Sequence, residues 1–455
     1  VAEEEDSVRS VKSAVWFLLA MVVAGLAWAS PNVENGKLYL TKKEKGPEPE
    51  RVTLTLLGGK GPQYDTAIAR LIERSKPVEL AVRWLNLNLA DGTTISMDTL
   101  VAAGAYPNVY NDFTGRASRF MIRTAGWKAM DLTPYVDVKG YFDLVPWQRG
   151  GLLLGVPGVV PLQGIALNLD LLDAAGYKLP DAKDWTIDAF LAMCEAVKAK
   201  LPGKWGTALF AKSASADYLW MNWFGSFGAQ VFVGGDYTRT AINSAQGVAT
   251  LRFLQALVQK GYAPMDSAEL WDDAALELWQ RGIVAAMPIR PDWVAAFMKG
   301  ALDQKMIAKA FRWVMYPFPR GPGVPAVPTL GAGSTAVVGE SGNGRLDSFA
   351  GQLAAALGDR AYQDETMASI GGSWPTIRGV AEVPNGSAED VAAWKVVNEI
   401  VQKAGIMDVG YTLSGYSAIR GELFPRLVEL YNGKTTPEAA LATYEKRVNE
   451  ILAGK

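Results

Sequence analysis

"RVTLTLLGGKGPQYDTAIARLIERSKPVELAVRWLNL", residues 51–87, holds three elements in the order strand, helix, strand. Apolar residues alternate from Val52 to Leu56 and stop at Gly58-Gly59, the pattern of a half-buried strand running into a turn. Ile68, Leu71 and Ile72 then fall on one face at helical spacing, and "VELAVRWLNL" reads as a second strand. A helix over Ser96–Tyr106 with Ser96 as its cap and a short strand in "NVYNDF" extend the series. Strands alternating with helices predict a parallel sheet covered on both faces. Ligands of such sheets bind beyond the carboxyl ends of the strands. The rim so placed holds Gly58, Gly59, Lys60, Asn111, Asp112 and Phe113.

Beyond "DLTPYV" and "LLLGVPGVVPLQGIALNLDLLDAAGY" the pattern becomes mostly helical. "WTIDAFLAMCEAVKAKL", "NSAQGVATLRFLQALVQKGY" and "DDAALELWQRG" are amphipathic, and the first two open on good caps. A Pro/Gly-rich loop, "YPFPRGPGVPAVP", leaves this half; residues 331–378 return to strand, loop and helix; and "TPEAALATYEKRVNEILAGK" is a capped final helix. No internal repeat is visible.

Composition narrows the chemistry. The chain has 455 residues, enough for two or three domains or one bilobed body. Its net charge of −2 gives no basic surface for nucleic acid. It has no histidine, which removes Ser-His-Asp and Cys-His nucleophiles and His-ligated zinc. The single cysteine, Cys194, lies in an apolar helical run and reads as an inert core thiol. Fifteen Trp and 16 Tyr exceed what a core needs. At the amino end, Arg9 and Lys12 precede an apolar run from Ala14 to Ala29 that closes on Ala27-Trp28-Ala29. This has the form of a cleavable export signal. The run falls short of the roughly 20 residues that span a bilayer, and a retained anchor is the alternative. Residues 30–50 read as a polar linker.

"VVGESGNGRLD", residues 337–347, imitates a phosphate-binding loop, with Gly339 and Gly344 at G-x-x-x-x-G spacing. The lysine position is Arg345 and the magnesium-binding hydroxyl position is Leu346. Leucine cannot hold magnesium, so the stretch reads as a glycine-rich turn between strand and helix.

Taken in order, several segments resemble the extracellular solute-binding proteins of family 1, the carbohydrate receptors of ABC importers. "DLTPYVD", "LLLGVPGVVPLQGIALNLDLLDAAGYKLPDAKDWTIDAFLAMCEAV", "TAINSAQGVATLRFLQALVQKGYAP", "LWQRGIVAAMPIRPDWVAAF" and "YSAIRGELFPRLVELYNGKTTPEAALATYEKRVNE" carry the likeness, from about Val52 to Leu452. Asn108 stands where the family has Asp, and "RPDW" with Arg290 where it has "GPW". The resemblance implies a two-lobed α/β fold of the periplasmic-binding-protein type II, with a hinge and an interlobe cleft. Lobe one would be 51–155 plus 331–378, and lobe two 158–328 plus 385–455. It implies an exported, non-enzymatic and monomeric receptor. That receptor would take a mono- or oligosaccharide to permease subunits, with no cofactor or metal. A polyol or glycerophosphodiester ligand, or a sensing role, are the alternatives.

A sugar site needs aromatic planes for CH-rich faces and planar polar groups for hydroxyls. Trp293 in "RPDW" matches the family's Trp at the mouth of lobe two, and Trp374 in "GGSWPTIR", with Arg378 after it, matches the family's hinge-side loop after the lobe-one helices. Trp220 and Trp223 are further candidates, although three apart is also core spacing on a helix. Lys60, Asp112, Gln163 and the backbone at Gly333 supply polar groups, and Tyr411 and Tyr416 are weaker candidates. The pair Asp272-Asp273 reads as a solvated helix surface rather than a glycosidase pair.

Overall fold

The structure is a computed structural model. It describes residues 50–454 except 86–105, 114–116, 118–119, 122–127, 143, 145–146, 162, 213–216, 328–332, 371–372, 381–394, 396–398, 400–402, 406, 411 and 414. The export segment, almost all of the linker, the helix expected over Ser96–Tyr106, and Tyr411 lie outside the described residues. The described residues 50–51, 77–79 and 106 belong to a small unit, in which Glu79 N donates to Glu50 O at 2.8 Å. Residues 52–76, 80–85 and 107–455 form the other, which carries nearly all of the strands.

Among the described residues, one sheet has five strands in the order β2-β1-β3-β12-β6. These are β1 (Arg51–Gly58), β2 (Glu79–Trp84), β3 (Val109–Phe113), β6 (Val156–Pro157) and β12 (Ser334–Val338). Strands β1 and β3 are parallel, as the opening alternation predicts. Strand β12 is antiparallel to both β3 and β6, so the sheet is mixed rather than all parallel. The reason is topological: β12 follows the second half of the chain and enters the sheet from the other end. Helix α1 (Pro62–Arg74) buries Tyr64, Ala67, Ile68 and Leu71.

A second sheet has four strands in the order β11-β8-β10-β9, namely β8 (Gly164–Asn168), β9 (Trp205–Thr207), β10 (Val284–Ile289) and β11 (Trp313–Tyr316). Among the described residues, six helices lie between or beyond its strands, α2 (Leu169–Ala174), α3 (Ile187–Lys200), α4 (Asp217–Ser226), α5 (Ala245–Gln259), α6 (Asp272–Gln280) and α7 (Pro291–Asp303), and three more follow from residue 416. Strand β10 is buried at every residue, which is what helices on both faces demand. The helices α8 (Gly344–Ala356) and α9 (Arg360–Ile370) follow β12. The last three, α10 (Tyr416–Gly421), α11 (Leu423–Tyr431) and α12 (Pro437–Leu452), bury Leu427, Leu441 and Tyr444 in the core of the four-stranded sheet. Expected caps form: Thr186 on α3, Ser244 on α5 and Thr436 on α12 each accept from an amide of the first turn. Cys194 is buried, and burial pushes its thiol pKa well up, which keeps it inert.

Two short ribbons complete the topology. Strands β4 (Gln148–Arg149) and β5 (Leu152–Leu153) make a hairpin, and β7 (Val160–Pro161) pairs with β13 (Ser373–Trp374).

The loop that imitates a phosphate cradle sits after β12, whose last residue, Val338, pairs with Val109 at the start of β3. It therefore lies at the sheet edge opposite the predicted rim. Asn343 Oδ1 accepts from Arg345 N at 3.1 Å and Leu346 N at 3.2 Å, so it caps α8 with the amides a phosphate would need. Asn343→Ala is expected to cost about 1 kcal/mol of stability, measured by denaturant unfolding. A value near zero would mean that the cap contributes nothing.

Candidate ligand-binding site

The carboxyl edge of the five-stranded sheet is built around close backbone approach. Gly58 has φ +143°, and a Cβ there would stand 1.6 Å from Asn111 O, so only glycine fits. Gly59 N then donates to Asn111 O at 3.2 Å, and the chain turns out of β1 into Lys60. Lys60 is exposed, with its Nζ 5.9 Å from the ring centroid of Trp84 at the end of β2. Tyr64, on α1, meets Trp84 edge-on at 5.9 Å and Tyr362 of α9 at 5.5 Å. Its hydroxyl donates to Asn111 Oδ1 at 3.4 Å. Burial raises the pKa of both tyrosines, so both hydroxyls stay protonated donors. Asn111 is 1% exposed, and its Nδ2 has no partner among the described residues. Asp112 is half-buried and accepts from Tyr110 Oη at 2.8 Å.

Gly333 is buried at the entry to β12, where a Cβ would stand 2.0 Å from Val159 O. That contact ties the rim to the crossing segment. The crossing itself is short. β6 ends at Pro157, opposite Thr335 near the start of β12, which is the edge where β1 and β3 end. β8 starts at Gly164, opposite Ile289 at the end of β10. Six residues thus join the carboxyl edges of the two sheets, and at about 3.3–3.6 Å per residue they hold the edges near each other. A buried network fixes this segment. Thr376 Oγ1 donates to Gly158 O at 3.0 Å. Gln363 Oε1 accepts from Thr376 N at 2.8 Å and Ile377 N at 3.2 Å. Gln363 Nε2 donates to Gly358 O at 2.9 Å.

On the four-stranded sheet, β10 leads into Arg290, the residue before α7, and Trp293 falls in the first turn of that helix. The start of α7 thus stands at the edge that faces the crossing. Trp374 is in β13, with its backbone paired to Val160 of the crossing. Gln163 is buried immediately before β8.

Trp220 and Trp223 are placed elsewhere. Both are fully buried on α4. Trp223 packs against Phe318 at 5.0 Å, Phe253 at 5.2 Å and Phe190 at 5.3 Å, and Trp220 against Phe210 at 5.0 Å. Their helical spacing serves the core of the four-stranded sheet, and their rings are enclosed by protein. Tyr416 is buried in the same core. Arg378 also has a structural task. Its Nη1 donates to Lys139 O at 2.7 Å, and its guanidinium lies 5.2 Å from the Phe142 ring centroid. It lines a pocket of about 510 Å³ with Arg74, Asp137, Tyr141 and Asp359. The contacts of Tyr64, Trp84, Asn111 and Tyr362 were not legible in the sequence. Tyr64 reads there as one more position of a helix, and only the Gly58-Gly59 doublet hints that backbones approach closely.

A family model described as bacterial extracellular solute-binding protein matches residues 91–399, about two thirds of the chain. The chain belongs to the bacterial extracellular solute-binding proteins. A comparison with curated protein sequences finds no match. Solved structures give the fold. The cyclic alpha-maltosyl-1,6-maltose binding protein of Arthrobacter globiformis aligns with a TM-score of 0.68 at 16% identity, over 89% of this chain and 100% of the other. An ABC transporter solute-binding protein of Thermotoga lettingae, bound with alpha-D-tagatose, aligns with a TM-score of 0.64 at 18% identity, over 88% and 99%. The acarbose-binding GacH receptor of Streptomyces glaucescens aligns with a TM-score of 0.64 at 18% identity, over 89% and 99%. The solute-binding protein described here thus has the mixed α/β fold of periplasmic sugar-binding proteins. No helix among its described residues is long and apolar enough to cross a membrane.

Proposed function

We propose that this solute-binding protein is an exported receptor that takes a mono- or oligosaccharide between the facing edges of its two sheets and delivers it to ABC permease subunits. It acts by binding, without a catalytic step, and as a monomer. The observation that carries the reading is the six-residue crossing that joins the two carboxyl edges, in a chain whose family binds solutes. Lys60 and Asp112 bond sugar hydroxyls from the first edge, and Trp293 offers a ring from the second. Gly333, Gln163 and Trp374 lie along the crossing and shape the floor, with Arg378 bracing it from behind. Trp220 and Trp223 are left to the core. Lobe one is then 51–155 plus 331–378 and lobe two 158–328 plus 385–455. The strands β8 to β11 all fall within the second set, which supports the division. Lobes joined by short crossings bend as a hinge, and ligand favours closure through the contacts it makes only in that state.

Calorimetric titration with maltotriose, chitotriose, cellotriose, D-glucose, glycerol and glycerophosphocholine tests the ligand class. A saccharide is expected to bind, and Trp293→Ala to weaken it at least about tenfold with the fold intact, from the loss of a stacked aromatic. Binding of glycerophosphocholine alone would overturn the sugar reading.

A further inference from the structure

The hairpin of β4 and β5 is rooted on the five-stranded sheet, but its first strand reaches a segment that belongs to the other core. Its turn, Gly150-Gly151, has φ +57° and +79°, the left-handed pair that a tight two-residue hairpin turn needs. The base is fixed on one side. Leu154 N donates to Trp147 O at 2.9 Å, and the buried Trp147 Nε1 donates to Thr335 Oγ1 of β12 at 3.0 Å. Leu153 N donates to Asp131 Oδ1 at 3.1 Å, and Leu132 N donates to Leu153 O at 2.8 Å. On the other side, Arg149 Nη1 donates to Thr412 O at 3.2 Å, and Thr412 Oγ1 donates to Gln148 O at 3.5 Å.

The segment that receives Arg149 is held by the second half of the molecule. Met407, Val409 and Leu413 are buried in the core of the four-stranded sheet, and Thr412 is buried with them. Tyr237 Oη donates to Asp408 Oδ2 at 2.9 Å, and Gly410 N donates to Asp408 Oδ1 at 2.9 Å. Burial and the Asp408 carboxylate push the Tyr237 pKa up, and the Arg149 charge pulls it back, so the guanidinium acts on this cluster from the hairpin. Arg149 itself is exposed and bridges to Thr412 by a long side chain rather than by close packing. A bond of that kind depends on the angle between the two halves, because it is lost once donor and acceptor part by more than about 3.5 Å.

Resting on the two-lobed reading above, we infer that the β4–β5 hairpin is a strap that sets the balance between the open and closed forms through Arg149, without touching the sugar. A contact made in one form only favours that form. Measured affinity scales with the fraction of the chain in the binding-competent form, so the strap tunes it from a distance. The full chain and its Arg149→Ala and Arg149→Lys variants are titrated with maltotriose, chitotriose and cellotriose. Their radii of gyration are measured by solution scattering with and without the tightest binder, and their melting temperatures are recorded. Arg149→Ala is expected to shift affinity by at least about threefold with little change in melting temperature, as befits an exposed residue. The radius of the ligand-free variant must shift with it: larger where binding weakens, smaller where binding tightens. Arg149→Lys keeps a donor for Thr412 O and should lie between Arg149→Ala and the parent. Unchanged affinity in Arg149→Ala, or changed affinity at an unchanged ligand-free radius, overturns the strap and leaves the sugar reading standing. A parent chain that binds none of the saccharides overturns both.

Discussion

Trp223→Ala should lower stability by about 3–5 kcal/mol, the usual cost of truncating a fully buried aromatic. The ring is 0% exposed and is wedged among Phe190, Phe253 and Phe318, with centroids 5.0–5.3 Å away. Truncation removes two edge-on contacts and one tilted one and leaves a cavity that three fixed aromatic rings cannot collapse into. The indole Nε1 has no hydrogen-bond partner among the described residues, so Trp223→Phe loses volume but no bond and should cost much less. Thermal unfolding of both variants, with saccharide affinity measured on the folded protein, checks the assignment. Unchanged melting with weakened affinity would move Trp223 from the core to the site.

Gln363→Leu should cost about 2–5 kcal/mol, although its shape is nearly conserved. Gln363 and Thr376 are both 0% exposed. Leucine leaves Thr376 N and Ile377 N without their shared acceptor, and a buried donor left unpaired costs about 1–3 kcal/mol. Gly358 O keeps the Tyr141 hydroxyl at 2.8 Å and is not orphaned. The loss falls on the segment that holds the crossing at Gly158, so affinity should fall along with stability. Gln363→Glu keeps the acceptor for both amides but loses the Nε2 bonds to Gly358 O and Thr376 Oγ1 and buries a charge, so it should also lower stability. Denaturant unfolding in which Gln363→Leu matches the parent would show that water replaces the lost acceptor.

How much of this was legible in the chain differs by level. The strands at 51–58, 79–84 and 109–113, the capped helices at 187, 245 and 437, and the glycine turn after Val338 could be read because each depends on residues within one or two turns of one another. Order along the chain was enough to place the family resemblance, which the match over residues 91–399 upholds. The direction of β12 was not readable, since it depends on which end of the sheet a distant segment re-enters. Nor were the tasks of the tryptophans. Trp220 and Trp223 lie within a helix and Trp271 at the start of one, and the sequence gives an enclosed ring and an exposed one the same letter. The sequence by itself determined the local elements, the absence of histidine chemistry and the family. Only the tertiary structure decided which aromatics are sealed in the core and which stand on the rim, because burial is set by the elements that pack from elsewhere in the chain.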